Sequence, residues 1–350
     1  MSAFGSPRQA EAARSWRQAV EQTLDLFPGN STSKLLAAFD DVADRWGFLS
    51  PQNGPPFSSG VCPDGSPVEL SLQWNRDKPR QVRFIAQPSD PTASASANLD
   101  YMRDCALQFL LDWSNSTAHE LLTRTLELFP DGRGPVPAGN FFLWLGLAIT
   151  PDGQHEAKVY LNPWAALERY QGAYLVYQLL EEARLGSAAL PWVSRVIDET
   201  GMIPLIVGLN FNSQGLKSTK LYFGRSDVDA DDLMRMRSSW PGSPSDDAWE
   251  EPLKRVTSKV RRGEVHVGVE YRSSDIPPAL RFNLLCQDWF LNDEAVLSVL
   301  ESSLSSSALN EAALLCRDWQ GQRRFNFLGL DGRRATLYFK AAQMTTDHTI

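Results

Sequence analysis

The sequence predicts an α+β protein: a closed, ten-stranded antiparallel β-barrel surrounded by helices and built from five ααββ units. Three observations carry this. A pair of apolar, period-2 runs joined by a turn recurs five times along the 350 residues. Amphipathic helical stretches separate the pairs. Tyrosines at matching places, Tyr160, Tyr222 and Tyr338, lie 62 and 116 residues apart, one and two units of a common period. Closure removes the two edges that an open antiparallel sheet would expose, and ten strands enclose room for a ligand.

The elements follow in order. An amphipathic stretch at Ser33–Trp46, which Ser31 or Thr32 can cap, precedes the first pair. That pair is Pro67–Trp74 and Gln81–Ala86, across the polar connection NRDKPR. Asn98–Trp113 and Ala118–Leu128 read as the helices of the next unit. Its strands, Phe141–Thr150 and Glu156–Asn162, flank PDGQ, a hairpin signal. Asn162–Pro163 then opens a helix over Trp164–Leu185, as N-cap and N1 proline. The third pair, Pro204–Phe211 and Ser218–Phe223, spans NSQG. The fourth, Val265–Tyr271 and Ala279–Leu285, spans SSDIPP. A helix over Asp293–Leu304 precedes the fifth, Phe325–Leu330 and Arg334–Phe339, across DG. The Gly/Pro/Ser-rich stretches 51–59, 131–140 and 238–247 read as loops, and none splits the chain. One barrel domain is expected over residues 31–342, with 1–30 an N-terminal segment and 343–350 a tail.

Composition excludes several classes. A net charge of −8, from 34 basic and 42 acidic residues, argues against a nucleic-acid binder. No apolar run approaches transmembrane length, and MSAFGSPRQAEAARSW lacks the apolar core of a signal peptide. No membrane contact and a cytoplasmic location are expected. Cys62, Cys105, Cys286 and Cys316 form no CxxC pair, and the four histidines show no ligand spacing. Free thiols and no metal site are expected. Asp40, Asp41 and Asp44 spell DDxxD, the spacing that holds magnesium–diphosphate in helical isoprenoid synthases. No second acidic motif follows, so they read as a surface helix face. Asp227, Asp229, Asp231 and Asp232 lack the glycine and glutamate of an EF-hand loop and read as a helix cap near Asp231.

The chemistry lies on the second strand of each pair, where residues i and i+2 share a face. Glu156, Lys158 and Tyr160 alternate with apolar residues, as do Ser218, Lys220 and Tyr222. Arg281 and Asn283, then Arg334, Thr336 and Tyr338, and finally Gln81 and Arg83, repeat the pattern. The apolar faces should meet the helices. The polar faces then bring Arg83, Lys158, Lys220 and Arg281 into one lumen with Tyr160, Tyr222 and Tyr338. Four converging cations in a low-dielectric barrel need an anion. A bound diphosphate is the economical one, because Lys and Arg suit phosphate oxygens. Tyrosine faces can also stabilise a carbocation by about 0.5–2 kcal/mol each. On the first strand, Glu69 shares the inward face with Ser71. It can accept the N–H of an aromatic nucleophile, a bond worth about 1.5–3 kcal/mol, or form a salt bridge with Arg83, and both can hold.

Over residues 30–342 the chain resembles the ABBA-fold aromatic prenyltransferases, in particular their dimethylallyltryptophan synthase (indole prenyltransferase) branch. The most specific pieces are GSPVELSLQW with Glu69, KVYLNP at Lys158–Pro163 and TKLYF at Thr219–Phe223. The resemblance implies an ABBA barrel (PT barrel) and transfer of a C5 prenyl group from dimethylallyl diphosphate to the indole of tryptophan or a derived metabolite. It implies Glu69 at the indole N–H. Arg83, Lys158, Tyr160, Lys220 and Tyr222 fall at diphosphate and tyrosine-shield positions, and Asn283 and Tyr338 at the corresponding positions of the last two units. No cofactor is implied, and magnesium is at most stimulatory.

The chain departs from the branch at three places. Ser218 stands where an Arg is usual, with Lys217 adjacent but facing the other way unless a bulge intervenes. Arg281-x-Asn283 replaces Gln-x-Tyr, and Arg281 can restore the lost charge. The strand Phe141–Ile149 has no Lys, which some members use as a base. A phenol- or peptide-directed member, one using geranyl diphosphate, and a non-catalytic barrel for an anionic ligand are the competing readings.

Overall fold

The structure, a computed structural model, describes residues 15–27, 31–57, 59–75, 78–129, 142–164, 169–240, 262–272, 278–301, 304–317, 319, 323–331 and 334–342. The first unit holds α1 (Trp16–Leu24), α2 (Ser31–Val42), β1 (Val68–Asn75) and β2 (Lys78–Ala86). The second holds α3 (Ala95–Trp113), α4 (Ser116–Glu127), β3 (Leu143–Ile149) and β4 (His155–Leu161). The third holds α5 (Arg169–Glu182), α6 (Gly186–Thr200), β5 (Ile203–Asn212) and β6 (Gly215–Val228). The fourth holds α7 (Ala230–Ser239), β7 (Gly263–Tyr271) and β8 (Ala279–Leu285). The last holds α8 (Cys286–Trp289), α9 (Asp293–Leu300), α10 (Ser306–Leu314), β9 (Phe325–Asp331) and β10 (Arg334–Lys340).

The ten strands close into one antiparallel barrel in sequence order, with β1 sealing against β10. The expected barrel is therefore present. Ser71 faces Tyr338 of β10 on one side and Arg83 of β2 on the other. Strand alternation builds the rest. Val68, Leu70 and Leu72 of β1, Val159 and Leu161 of β4, and Leu221 and Phe223 of β6 are wholly buried beneath the helices. A one-residue slip would carry each set into the lumen, so apolar burial on the outer face holds the register.

Four helices escape the periodicity reading: α1, α6, the single-turn α8 and α10. α1 lies in the stretch read as an N-terminal segment and buries Trp16, Ala19, Val20, Thr23 and Leu24. Thr23 Oγ1 donates to the Ala341 carbonyl at 3.1 Å, which ties α1 to the end of β10. α6 carries Gly186 and Pro191, residues that read as turn formers, yet it runs to a left-handed Gly201 at φ 66°. The helix expected over Asp293–Leu304 ends at Leu300, and Ser305 caps a new one. β2 starts at Lys78, inside the expected connection, with Pro79 beside a register shift between Gln73 and Asn75. α2 already begins at Ser31, two residues before the expected start, so Ser31 and Thr32 lie within the helix and do not cap it. The loops read at 131–140 and over most of 238–247, most of the SSDIPP turn and the 343–350 tail lie outside the described residues.

The two acidic runs resolve as expected. On α2, Asp40 pairs with Arg17 at 2.8 Å and Asp41 accepts from Trp113 Nε1 at 3.0 Å, outside the barrel. Asp229 caps α7 in a reciprocal capping box with Asp232. All four cysteines are free. Among the described residues no helix is long and apolar enough to cross a membrane, and none form a group of three or more metal-type ligands.

Candidate active site

The lumen is layered along the barrel axis. At its centre lie the cations and tyrosines that the alternation selects. Arg83 Nε donates to Ser71 Oγ at 3.0 Å, Nη1 donates to Gln73 Oε1 at 3.3 Å, and the guanidinium lies 5.4 Å over the Tyr338 ring. The Tyr160 ring stands 6.1 Å from Tyr222 and 6.4 Å from Trp144. Arg281 Nη2 donates to Thr336 Oγ1 and sits 3.8 Å from Asp331. Arg83 Nη2 and Arg281 Nε are buried and have no protein partner. A buried guanidinium N–H left alone is costly, so both atoms mark a place for a bound acceptor.

Inward glycines on the first strands make room for these groups. Gly208 is opposite Tyr160, Gly268 is opposite Tyr222 and Arg281, and Gly329 is opposite Asn283. A Cβ on Gly208 would stand 3.2 Å from the Tyr160 ring and 3.4 Å from Tyr222. Gly208→Ala is therefore expected to tilt both rings, to lower turnover, and to cost about 1–3 kcal/mol in denaturant unfolding as an overpacked site. An unchanged unfolding midpoint with full turnover would show that the rings have slack.

Towards one end the cations meet carboxylates. Lys158 Nζ lies 3.2 Å from Glu156 and donates to Asn210 Oδ1 at 3.0 Å. Asn210 Nδ2 donates to Ser218 Oγ at 2.8 Å, which donates to Glu270 Oε1 at 3.1 Å. Glu270 faces Lys220 across the β6–β7 ladder at 3.4 Å and takes Arg334 at 3.2 Å. Burial alone would raise Glu156, but Lys158 and Lys217 outweigh it and hold the carboxyl down at about 2. Burial likewise opposes the ionisation of Glu270, and Lys220, Arg334 and Arg272 overcome it. Lys220 shows the opposite balance: burial, aided by Lys158 and Arg281, pulls it down to about 7 despite Glu270. Five basic side chains (Arg83, Lys158, Lys220, Arg281, Arg334) thus share this end and the centre with three carboxyl groups (Glu156, Glu270, Asp331), so basic groups outnumber acidic ones.

Towards the other end a cavity of about 390 Å³ opens, lined by Glu69, Trp144, Tyr160, Tyr222, His266 and Tyr338 among others. Glu69 is buried at its edge and accepts from Asn326 Nδ2 at 2.8 Å. Burial pushes its carboxyl up to about 8, against the pull of Asn326 and Arg83. Burial also raises the hydroxyls of Tyr160 and Tyr222.

All nine residues singled out from the sequence lie in this lumen: Glu69, Arg83, Lys158, Tyr160, Lys220, Tyr222, Arg281, Asn283 and Tyr338. Three expectations change. The cations were expected to lack protein anions, yet the inward faces of β4, β7 and β9 supply Glu156, Glu270 and Asp331. Glu69 makes no ion pair with Arg83, which turns instead to Ser71 and Gln73. Lys217 does reach the lumen rim. A register shift between Asn210 and Phe211 leaves it unpaired on the ladder, and its Nζ bonds Glu156. The residues missed are mainly on first strands: Trp144, Asn210, His266, Glu270 and Asn326. Alternation on β5 and β7 would have found Asn210, His266 and Glu270.

The family model for tryptophan dimethylallyltransferase matches residues 42–167. GSPVELSLQW and KVYLNP both fall inside that match, and the resemblance they carry is borne out. No curated protein matches the sequence. Solved structures match over nearly the whole chain. The 5-dimethylallyltryptophan synthase of Streptomyces coelicolor is 16% identical, with a TM-score of 0.75 over 94% of this chain and 98% of that one. The 6-dimethylallyltryptophan synthase of Micromonospora olivasterospora, solved with DMASPP and Trp, is 18% identical, with a TM-score of 0.74 over 93% and 97%. AnaPT from Neosartorya fischeri is 15% identical, with a TM-score of 0.66 over 94% and 92%. The likeness to these structures is one of fold, the ABBA barrel (PT barrel).

Proposed function

We propose that this protein is an aromatic prenyltransferase that moves a dimethylallyl group from dimethylallyl diphosphate to the indole ring of tryptophan or a tryptophan-derived metabolite. One observation carries the reading. Two unpartnered guanidinium N–H groups, on Arg83 and Arg281, lie beside a tyrosine sheath, and a buried carboxyl stands at the cavity edge.

The chemistry follows from the layering. The diphosphate takes Arg83, Lys158, Lys220 and Arg281, with Asn283 beside them. These preorganised donors stabilise the negative charge that grows as the C–O bond breaks. The allyl cation forms against the faces of Tyr160, Tyr222 and Tyr338, each worth about 0.5–2 kcal/mol by cation–π attraction. The same rings exclude the water that would quench it. Glu69 accepts the indole N–H and feeds electron density into the ring. In this reading the reaction is an electrophilic aromatic substitution that needs no metal, and the enzyme works in the cytoplasm.

Lys220 provides a signature for the anion. Near pH 8 it is largely neutral in the free protein, and a diphosphate beside it favours the charged form. Binding of an unreactive alkyl diphosphate, which unlike inorganic diphosphate keeps no titrating proton at pH 8, is expected to take up close to one proton. Calorimetry in buffers of different ionisation enthalpy measures this uptake. Affinity should fall as pH rises above about 7. Binding with no proton uptake would place the anion away from Lys220.

The test of function is mass spectrometry of product after incubation with dimethylallyl diphosphate in EDTA. The acceptors are L-tryptophan, tryptophan-containing cyclic dipeptides, other indoles, tyrosine and a dihydroxynaphthalene. Gain of one C5H8 unit on indoles alone is the expected result. Product on phenols alone would move the protein to the phenol-directed branch. No product with any acceptor, also with geranyl diphosphate, would leave an anion-binding barrel. Activity that appears only when magnesium replaces EDTA would overturn the metal-free reading.

A further inference from the structure

Electrophilic substitution leaves a ring proton to be removed, and β3 offers no lysine to take it. The titratable side chains lining the cavity narrow the choice. Cys62, Tyr160 and Tyr222 hold their protons, because burial raises all three. Glu69 already accepts from Asn326 and, in the proposed reaction, from the indole N–H. Tyr338 lies under the Arg83 guanidinium. His266 and Glu264 remain, both on the inward face of β7.

These two form a built pair. His266 Nε2 lies 2.8 Å from Glu264 Oε1, with the side chains 23% and 38% exposed. The imidazole is stacked 5.2 Å from the Phe327 ring at 35°. Asn283 Nδ2 donates to the His266 carbonyl at 3.3 Å. The Glu264 backbone is held from both sides: its N–H donates to Asp288 at 2.9 Å, and its carbonyl accepts from Trp289 Nε1 at 2.9 Å. Both anchors sit on α8, so the strand, the short helix and the aromatic wall fix the pair together. A neutral His266 that donates Nε2–H to Glu264 keeps a lone pair on Nδ1, and no described residue occupies Nδ1. A base oriented by a carboxylate in this way is the arrangement that general-base catalysis requires.

We propose that His266, oriented by Glu264, is the base that restores aromaticity in the proposed transfer. Prenyl C1 bonds to a ring carbon, and the indole becomes a cation. The C–H bond at that carbon then breaks, its electron pair re-forms the aromatic ring, and the proton passes to Nδ1. Glu264 neutralises the imidazolium, which returns the proton to solvent through the exposed edge of the pair. The inference rests on the transferase reading above.

The test uses purified full-length protein, L-tryptophan with a fully deuterated ring, and dimethylallyl diphosphate. In the wild type, C–C bond formation should limit the rate and the isotope effect should be near unity. In His266→Ala, kcat should fall about 100-fold, with a primary isotope effect of about 2 or more as proton removal becomes limiting. Binding of inorganic diphosphate should be unchanged, which shows an intact barrel. Glu264→Gln keeps the hydrogen bond and removes the charge, and should lower kcat about 10-fold with a smaller isotope effect. If His266→Ala fails to fold, the Glu264→Gln result decides. A raised tryptophan KM with kcat and isotope effect unchanged would overturn the proposal and make the pair part of acceptor binding. No isotope effect in either variant would also overturn it. A wild-type protein that transfers no prenyl group would remove the transferase reading itself, and that outcome is distinct from both.

Discussion

Glu69→Gln is expected to lower kcat/KM for the indole acceptor by about 10- to 150-fold, the equivalent of about 1.5–3 kcal/mol for a hydrogen bond to a charged group. The pH profile should change with it. In the free protein the Glu69 carboxyl titrates at about 8, so near neutrality it carries a proton and cannot receive the indole N–H as a carboxylate. Wild-type kcat/KM should rise with pH up to about 8 and then level. Glutamine does not titrate, so the variant should lose that rise. Steady-state kinetics from pH 6 to 9 check both. A Gln variant with wild-type kcat/KM and the same profile would leave Glu69 a purely structural group.

Stability gives an independent reading of the same carboxyl. Its folded pKa, about 8, lies above the unfolded value of 4.5. Between those values the folded protein binds the proton more tightly than the unfolded chain does. The contribution is full below 4.5 and is lost as pH rises through about 8. Glu69→Gln should therefore melt with a weaker dependence on pH across that window.

Glu270→Ala should be the most destabilising single change in the lumen. Glu270 is buried and meets Lys220 at 3.4 Å, Arg334 at 3.2 Å and Ser218 at 3.1 Å. Removing one partner of a buried ion pair costs about 3–5 kcal/mol, because the other charge stays buried and unpaired. Here the low end, about 3 kcal/mol, is expected. Lys220, already near 7, can shed its proton instead, and Arg334 keeps Asp331 at 2.6 Å. Denaturant unfolding measures the loss. Added inorganic diphosphate should stabilise the variant more than the wild type, since an anion replaces the missing carboxylate. A variant as stable as the wild type would mean that solvent reaches these cations freely.

Several features of the site were readable from local pattern. GSPVELSLQW and KVYLNP carry Glu69, Lys158 and Tyr160 on strands whose other face is apolar, so their direction follows from period 2 alone. Glycines at 146, 208, 268 and 329 repeat at 62, 60 and 61 residues and mark the first strands as clearly as the tyrosines mark the second. Reading them would have drawn attention to His266 and Glu270, two residues either side of Gly268. α1 was legible too: Trp16, Ala19, Val20, Thr23 and Leu24 follow helical spacing. α6 was harder, because Gly186 and Pro191 obscure its start.

By itself the sequence determined the barrel, the count of strands and the side chains that face inward. These depend on alternation within one strand, where a single slip would bury the wrong face. Tertiary structure alone decided which inward groups meet. Lys158 reaches Asn210, and Ser218 reaches Glu270, each across 52 residues of chain. Those distances exist only after neighbouring strands pair in register. The placement of Lys217 depended on a bulge that local pattern does not encode, and the pairing of His266 with Glu264 on a short helix that anchors the strand. Closing the ring brings distant charges into a low-dielectric space, where each must find a partner. That requirement turned a row of repeated cations into a network with two guanidinium N–H groups left to meet a ligand.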